Sequence, residues 1–314
     1  SSSTLTEEYN VSANTITAGA WASGGALTGG VKNSVGGAGT QTTGLAFGGY
    51  KPGSNQTNDS ESYDGTTWTE GNNLNTARSN IGGTGTQTAA LGAGGYSFPG
   101  PTGLKATEDY NGTSWTTGGD LITERYAGAC AGTTTAGLFF GGYNNALPPG
   151  NVTNLTEEYD GSSWTAGTAM GTARYTLVGT GTQTAGLAAM GYDYAPTVTA
   201  ATEEYNGTAW TAVTAANTAR NGAGGGGVQT ATLVFGGYDG TIRTGVSESY
   251  DGTSWITQPT MAAGRSGVGS ASNGTTTAGL AFGGNPNSPP TYTDVTEAFT
   301  GETSAANIVT VTTS

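Results

Sequence analysis

The chain has 314 residues, of which 57 are glycine and only 10% are charged, and its formal net charge is −13. Nine Lys and Arg residues are too few for the basic surface of a nucleic-acid binder, so no nucleic-acid partner is predicted. With no histidine and one cysteine, internal disulfides, Ser-His-Asp and Cys-His catalytic sets and most catalytic zinc sites are excluded. The sequence contains no apolar run long enough to span a membrane.

A short strand signal that ends in two glycines and a tyrosine recurs in six units, with Met in place of the first glycine in the fourth unit and Asn in place of the tyrosine in the sixth. The Gly pairs follow short runs of Ala, Leu and Phe with no helical periodicity, which favours β-strands. Each ending is followed by a loop of different sequence. The six endings are Gly48-Gly49-Tyr50, Gly94-Gly95-Tyr96, Gly141-Gly142-Tyr143, Met190-Gly191-Tyr192, Gly236-Gly237-Tyr238 and Gly283-Gly284-Asn285.

A second phrase follows each of the first five variable loops, with Glu and Tyr, then Asp-Gly or Asn-Gly, then Trp. Asp-Gly and Asn-Gly between two strand signals predict a tight hairpin, because both residues tolerate positive φ. Successive tryptophans lie 45 to 49 positions apart, and a period of that length with glycine and aromatic marks is typical of propeller blades. The tryptophans are Trp21, Trp68, Trp115, Trp164, Trp210 and Trp255.

Each unit therefore reads as four antiparallel strands, and one such sheet cannot bury both faces alone. Packing the sheets around an axis solves this, with Gly and Ala near the axis and Tyr and Trp further out. We predict an all-β, six-bladed propeller forming a single domain over 1–314. The units are roughly 22–68, 69–115, 116–164, 165–210, 211–255 and 256–299, with 1–21 and 300–314 as closing or edge strands.

Both ends of the chain carry signals for the blade that closes the ring. The segment from Tyr9 to Trp21 predicts a sixth outer hairpin with a longer connection, while Val295 to Phe299 repeats the third-strand phrase without a Trp. We expect the termini to meet in one sheet, with the leftover strand as an edge extension.

The spacing of the Gly pair, Tyr and Trp resembles the kelch repeat over essentially the whole chain. The chain is also similar to Gly/Thr-rich repeat arrays of phage virion and bacterial surface proteins. An Arg before each first strand fits the kelch pattern at Arg78, Arg125, Arg174, Arg220 and Arg265. Two features depart from it: the Tyr-to-Trp step is shorter than usual, which implies a tighter outer hairpin, and Lys32 stands where the first unit needs its Arg.

Several residues are candidates for chemistry, and for each a structural role is the stronger interpretation. The pair Glu157-Glu158 and its equivalents resemble an acid and base for glycoside hydrolysis, but neighbours on a strand point to opposite faces. One Glu of each unit is instead expected to meet the repeated Arg or backbone amides. Ser62 to Trp68 is similar to a shortened sialidase Asp-box, itself a structural turn. Cys130 is expected to be a small buried residue.

Asp59, Asp193, Asp239 and Asp294 lie in or beside the variable loops and offer oxygen ligands of the kind that calcium prefers, but no run of residues there resembles a known calcium-binding loop. We therefore predict no metal, no cofactor and no catalytic residue. The chain is not expected to be an enzyme.

Antiparallel strands put the repeated turns on one face of the ring and the variable loops on the other. Variable loops on a rigid frame are where recognition usually occurs, although loops also diverge when nothing constrains them. We predict a protein or glycan partner on the loop face, with ligand-binding residues Phe98, Tyr143, Tyr192, Tyr194, Tyr238 and Tyr292. The expected function is a structural or adhesive module, extracellular or on a virion surface and engaged in assembly there. The alternative is a lectin or glycan-active enzyme.

Overall fold

The computed structural model describes residues 12–53, 55–100, 103–145, 151–193, 195, 197–289 and 291–308. All regular structure in this part of the chain is β-strand, so no helix that could cross a membrane occurs in it. Six four-stranded antiparallel sheets are arranged as the blades of a β-propeller, which confirms the predicted fold. Blades 1 to 6 are numbered in chain order.

The first strands of the blades line the axis and touch one another. Glycine is required here because the backbones approach closely: a Cβ on Gly37 would lie 2.1 Å from the carbonyl oxygen of Ser270, and one on Gly83 would lie 2.6 Å from that of Gly37. The first strands are Gly36–Gly39, Gly82–Thr86, Ala129–Thr133, Val178–Thr182, Gly224–Val228 and Gly269–Ser270.

The second strands pair with the first and carry the buried Leu and Phe side chains that fill the space between blades. They are Gly44–Phe47, Ala89–Ala93, Ala136–Phe140, Ala185–Ala189, Ala231–Phe235 and Ala278–Phe282. Their alternation of small and large residues allows neighbouring sheets to interdigitate.

The third and fourth strands form the outer hairpin of each blade and carry the repeated Tyr and Trp. Tyr63 and Trp68 are directly paired, and Trp68 packs against Phe282 of blade 6 at 5.0 Å, so the aromatic residues join blades as predicted. The third strands are Ser60–Tyr63, Thr107–Tyr110, Thr156–Tyr159, Thr202–Tyr205, Ser247–Tyr250 and Thr296–Thr300. The fourth strands are Trp68–Glu70, Trp115–Thr117, Trp164–Gly167, Trp210–Val213, Trp255–Gln258 and Ala20–Ser23.

Blade 6 closes the ring with strands from both ends of the chain. Three of its strands come from the C-terminal part, and the fourth is Ala20–Ser23. Trp21 pairs with Phe299, so the third strand of this blade is the C-terminal phrase, and the predicted hairpin from Tyr9 to Trp21 is wrong. Tyr9 itself lies outside the described residues.

The same two strands of blade 6 continue past the blade as a two-stranded ribbon. Ser12–Thr17 pairs with Thr303–Ile308, and the register is unchanged across the junction, because Thr17 faces Thr303 just as Ala20 faces Thr300. Blades 1 to 5 have a tight turn at this place. The ribbon therefore leaves from the face that carries the turns, which we call the turn face.

The outer hairpin turns differ from the expected two-residue form. Only the glycine, for example Gly65 with φ of 97°, has positive φ. The preceding Asp64 instead accepts hydrogen bonds at its carboxylate from the backbone N–H groups of Thr66 and Thr67, at 2.8 and 2.7 Å. The loop is thus four residues long, and hydrogen bonds to the Asp side chain hold it. A two-residue turn would need positive φ at two positions, and here only the glycine has it.

Two further short strand pairs lie on the loop face, opposite the turn face. They are Tyr50–Lys51 with Asn55–Gln56, and Arg265–Ser266 with Asn285–Pro286. Both extend a contact that is made once in every blade and that forms the candidate site.

Candidate functional site

A backbone pair recurs on the loop face of every blade, between the residue after the repeated Arg or Lys and the residue after the second Gly. In blade 1, Asn33 and Tyr50 exchange N–H···O hydrogen bonds of 3.1 and 2.9 Å. We call the twelve residues of these pairs the tyrosine collar. They are Asn33 with Tyr50, Ser79 with Tyr96, Tyr126 with Tyr143, Tyr175 with Tyr192, Asn221 with Tyr238, and Ser266 with Asn285.

Five tyrosines of the collar form a continuous arc across blades 2, 3 and 4. Tyr96 contacts Tyr126, which contacts Tyr143, each with ring centroids 5.4 Å apart. Tyr143 then contacts Tyr175 at 5.4 Å, and Tyr175 contacts Tyr192 at 5.6 Å. These separations are those of favourable aromatic pairs. The arc is consequently a rigid, half-buried aromatic surface.

The collar carries no charged side chain, because its members are Tyr, Asn and Ser. Burial, helped by the neighbouring tyrosines, raises the pKa of Tyr126 to about 12. Burial also raises the pKa of Tyr175 and Tyr192. Their hydroxyl groups therefore remain neutral near pH 7, where each can donate and accept hydrogen bonds.

Next to the collar, one residue of each blade forms a closed circle of backbone hydrogen bonds around the axis. The N–H of Asn80 donates to the carbonyl of Ser34, that of Ala127 to Asn80, and so on until Ser34 donates to Gly267, with distances from 2.7 to 3.0 Å. All six members have positive φ, between 49° and 61°. This mouth ring consists of Ser34, Asn80, Ala127, Thr176, Gly222 and Gly267.

Behind the mouth ring lies an axial cavity of about 120 Å³ between the first strands. At its far end, two residues inserted in blade 6 lengthen the loop after Ser270. Asn273 of this loop donates to the carbonyls of Gly39 and Gly85, in blades 1 and 2, at 2.8 and 2.9 Å. The loop thus crosses the turn-face end of the cavity.

The residues predicted to bind a ligand separate into three groups. Tyr143, Tyr192 and Tyr238 belong to the collar and not to the variable loops. Phe98 is 67% exposed on its loop, and Tyr292 packs edge-on against Tyr50 at 5.9 Å. Tyr194 lies outside the described residues.

The sequence prediction missed Tyr126 and Tyr175, which form the centre of the arc. Each directly follows a repeated Arg, Arg125 or Arg174, where the other units have Asn or Ser. Comparing that position across units would have found them. Tyr126 and Tyr175 lie next to Tyr143 and Tyr192 because the backbone pairs bring these positions together.

The adjacent carboxylates do not converge on a common site. Glu157 accepts from the Arg125 guanidinium of its own blade at 2.7 Å, whereas Glu158 accepts from the hydroxyl of Tyr205 in the next blade. The Arg–Glu pair recurs, fully buried, in five blades, and Lys32 with Glu61 takes its place in blade 1. The remaining pairs are Arg78 with Glu108, Arg174 with Glu203, Arg220 with Glu248, and Arg265 with Glu297.

Three of the four acidic residues considered for calcium have other partners. Asp193 and Asp239 accept hydrogen bonds from backbone N–H groups of their own loops, and Asp59 pairs with Lys51. Among the described residues, no three Asp, Glu or Cys side chains are grouped as metal ligands. Cys130 is buried, and burial raises the pKa of its thiol far above the ordinary value.

No family model matches the chain, and no curated protein matches it significantly.

Proposed function

We propose that the chain is a non-catalytic binding propeller that holds a neutral glycan on its tyrosine collar. The tyrosine arc is the observation that carries this proposal. Tyr, Asn and Ser are the residues that antibody paratopes use, because Tyr gives rigid amphipathic contact area and Asn and Ser give adaptable hydrogen bonds. A sugar chain needs both kinds of contact, and an uncharged collar suits a neutral one.

The engagement of the repeated carboxylates supports a non-catalytic role. Glu157 and its equivalents neutralise buried cations, and Glu158 and Glu204 accept hydrogen bonds from tyrosines of the next blade. Glycoside hydrolysis needs two carboxyl groups facing one bond across about 5 to 9.5 Å. Residues committed to the scaffold in blade after blade are unsuited to that task.

The position of the ribbon supports a surface role. Both strands of the ribbon leave from the turn face, so the collar points away from them. A protein held through that side presents its collar outward. We therefore propose an adhesive module, outside the cell or on a virion, of kelch-type ancestry.

A glycan array followed by calorimetry on the hits tests the proposal. We expect neutral glycans to bind, and the double substitution Tyr143→Ala, Tyr192→Ala to cost about 2 kcal/mol, roughly 30-fold in affinity, as truncation of central aromatic contacts does. Val228→Ala is the matched control, because Val228 is 52% exposed but lies on the turn face. Unchanged glycan affinity in the double variant would rule out the collar as the binding site.

An incubation of each bound glycan with the protein separates a binder from a glycan-active enzyme. We expect the glycan to be recovered intact. Release of reducing ends that survives repeated purification would favour the enzyme instead.

A further inference from the structure

The axis of the propeller is too narrow to take up a whole sugar. The axial cavity measures about 120 Å³, and a hollow inside the mouth ring measures about 110 Å³. Pockets that enclose a small molecule measure roughly 300–1,000 Å³ and surround most of their ligand. A glycan on the collar therefore lies across the loop face and does not insert a sugar into the ring.

The tyrosine arc is long and shallow. It runs through blades 2, 3 and 4, and its four ring contacts each separate two centroids by 5.4 to 5.6 Å. All five tyrosines are half-buried, so part of each side chain remains accessible to a ligand. Such a surface covers only one side of a ligand, and the contacts of a single sugar unit do little to offset the entropy lost on association. Strong binding needs a ligand that adds contacts along the arc.

The tyrosine hydroxyl groups left for a ligand lie toward the two ends of the arc. In its middle, the hydroxyl of Tyr126 donates to Asn145 at 3.4 Å, and that of Tyr143 accepts from Asn151 at 3.1 Å. Three hydroxyls make no hydrogen bond within the part of the chain that the structure describes, namely those of Tyr96, Tyr175 and Tyr192. Three ring contacts separate the first of these from the second. One sugar, whose ring is about as wide as an aromatic ring, cannot bond to both.

We propose that the ligand of the collar is a neutral polysaccharide, which the tyrosine arc holds along the interior of the chain and not by a chain end. This inference deepens the proposed function and rests on it. Successive sugar units pack on successive rings, and sugar hydroxyls bond to the free tyrosine hydroxyls near both ends of the arc. Because the arc turns with the ring across three of the six blades, the polysaccharide is one whose linkages let it bend.

Calorimetry of the full chain with oligosaccharide ladders tests the inference. The probes are maltooligosaccharides, laminarioligosaccharides and α-linked mannooligosaccharides, each from the monosaccharide to the octasaccharide, because these neutral chains bend. We expect no measurable binding of the monosaccharides, and an affinity that rises with each added unit until the arc is covered. Chemical capping of both ends of the octasaccharide should leave its affinity unchanged.

The substitution Tyr96→Phe tests whether the bound chain reaches the first ring of the arc. It keeps the aromatic ring, and so the contact with Tyr126, and removes only the hydroxyl. The affinity for the octasaccharide should fall roughly 2- to 12-fold, the effect of one hydrogen bond. The affinity for the disaccharide should fall less, because a disaccharide can bind elsewhere on the arc. Tyr250→Phe is the matched control and should not change binding, since Tyr250 is buried in the outer hairpin of blade 5.

The outcomes separate this inference from the proposed function. An affinity that is already complete with one sugar, or that is lost when the chain ends are capped, would overturn the inference and leave the proposed function standing. Binding on the glycan array without binding of any ladder would do the same. If neither the array nor any ladder binds, both are wrong. Equal losses for the disaccharide and the octasaccharide in Tyr96→Phe would contradict an extended chain on the arc.

Discussion

Two neighbouring glutamates in blade 3 have different physical roles because successive side chains of a strand face opposite sides. Glu157 lies 2% exposed against Arg125, whose guanidinium also donates to the carbonyls of Gly141 and Leu155, at 2.9 Å each. Burial lowers the pKa of Arg125, and the adjacent carboxylate opposes that shift and keeps the cation charged. Glu158 instead accepts a hydrogen bond from the hydroxyl of Tyr205.

The substitution Glu157→Gln should destabilise the protein by about 3–5 kcal/mol, because it leaves a buried guanidinium without its counter-ion. Glu158→Gln is the matched control, one residue away and equal in size, and should cost about 1 kcal/mol for one altered hydrogen bond. Urea unfolding followed by tryptophan fluorescence measures both. Similar losses in the two variants would contradict the assignment of Glu157 as the structural partner of Arg125.

At this scale the sequence predicted a partner for the repeated Arg but could not show that Lys32 replaces it. A lysine places one nitrogen where arginine places three, so its fit depends on the local backbone. In the collar, too, the sequence alone could not show which residues become neighbours. Tyr143 and Tyr192 were found from their repeat position, whereas Tyr126 and Tyr175 become neighbours of them only through the pairing of two loops.

The outer hairpin turns use Asp in blades 1, 3 and 5 and Asn in blades 2 and 4 for the same hydrogen bonds. Asp160 accepts from the N–H groups of Ser162 and Ser163 at 2.8 Å, and Asn111 accepts equivalently from Thr113 and Ser114. The backbone N–H of Ser163, with the groups of Ser162, lowers the pKa of Asp160 from 3.8 to about 2. Only the Asp turns therefore respond to acid.

A triple variant, Asp64→Asn, Asp160→Asn and Asp251→Asn, should lose less stability in acid than the wild type. Because the folded-state pKa of Asp160 is lowered, its contribution is complete above its unfolded value of 3.8 and is lost as pH falls toward about 2. The melting temperatures at pH 7 should agree, since Asn makes the same turn. If the melting temperatures of the two proteins fell by the same amount from pH 5 to pH 2, the Asp turns would not contribute to the loss of stability in acid.

Among the elements, the sequence predicted four strands per blade and the crowding of Gly at the axis. It did not predict the turn type, because Asp-Gly is compatible with a two-residue turn and with a longer loop capped by the Asp side chain. It predicted correctly that the two termini meet in one sheet, but it took both strands of the sixth outer hairpin from the segment Tyr9 to Trp21, whereas only the Trp21 strand lies in that blade and its partner is the C-terminal phrase.

At the scale of the whole molecule, the mouth ring ties all six blades together through one circle of hydrogen bonds. Four of its members, Ser34, Asn80, Ala127 and Thr176, are not glycine although they have left-handed φ. That conformation costs side-chain-bearing residues free energy, so the ring is maintained by the packing around it. Each member lies two positions after the repeated Arg or Lys, but residue types as different as Ser, Asn, Ala and Thr do not predict a left-handed φ there.

The substitution Ala127→Gly should stabilise the protein by about 0.5–1 kcal/mol. It removes about 1–2 kcal/mol of left-handed strain, and the greater freedom of Gly in the unfolded chain offsets part of this gain. Ala131→Gly, in the first strand of the same blade, serves as control and should destabilise. The free energy of unfolding in urea distinguishes the two. If both substitutions lowered the free energy of unfolding, the left-handed conformation of Ala127 would not be strained in the folded protein.

The ribbon determines how the molecule would respond to mechanical force. Its outermost pair joins Ser12 to Ile308, so the two ends of the described ladder lie side by side. Tension applied between them loads one pair at a time, starting at that pair and moving inward to Trp21 and Phe299 in blade 6. When force is applied through one strand of the ribbon and is opposed by a ligand bound at the collar, the two strands are not pulled apart pair by pair. Attachment through one strand of the ribbon would thus keep the propeller ring closed at forces that would open it if the two strands were pulled apart.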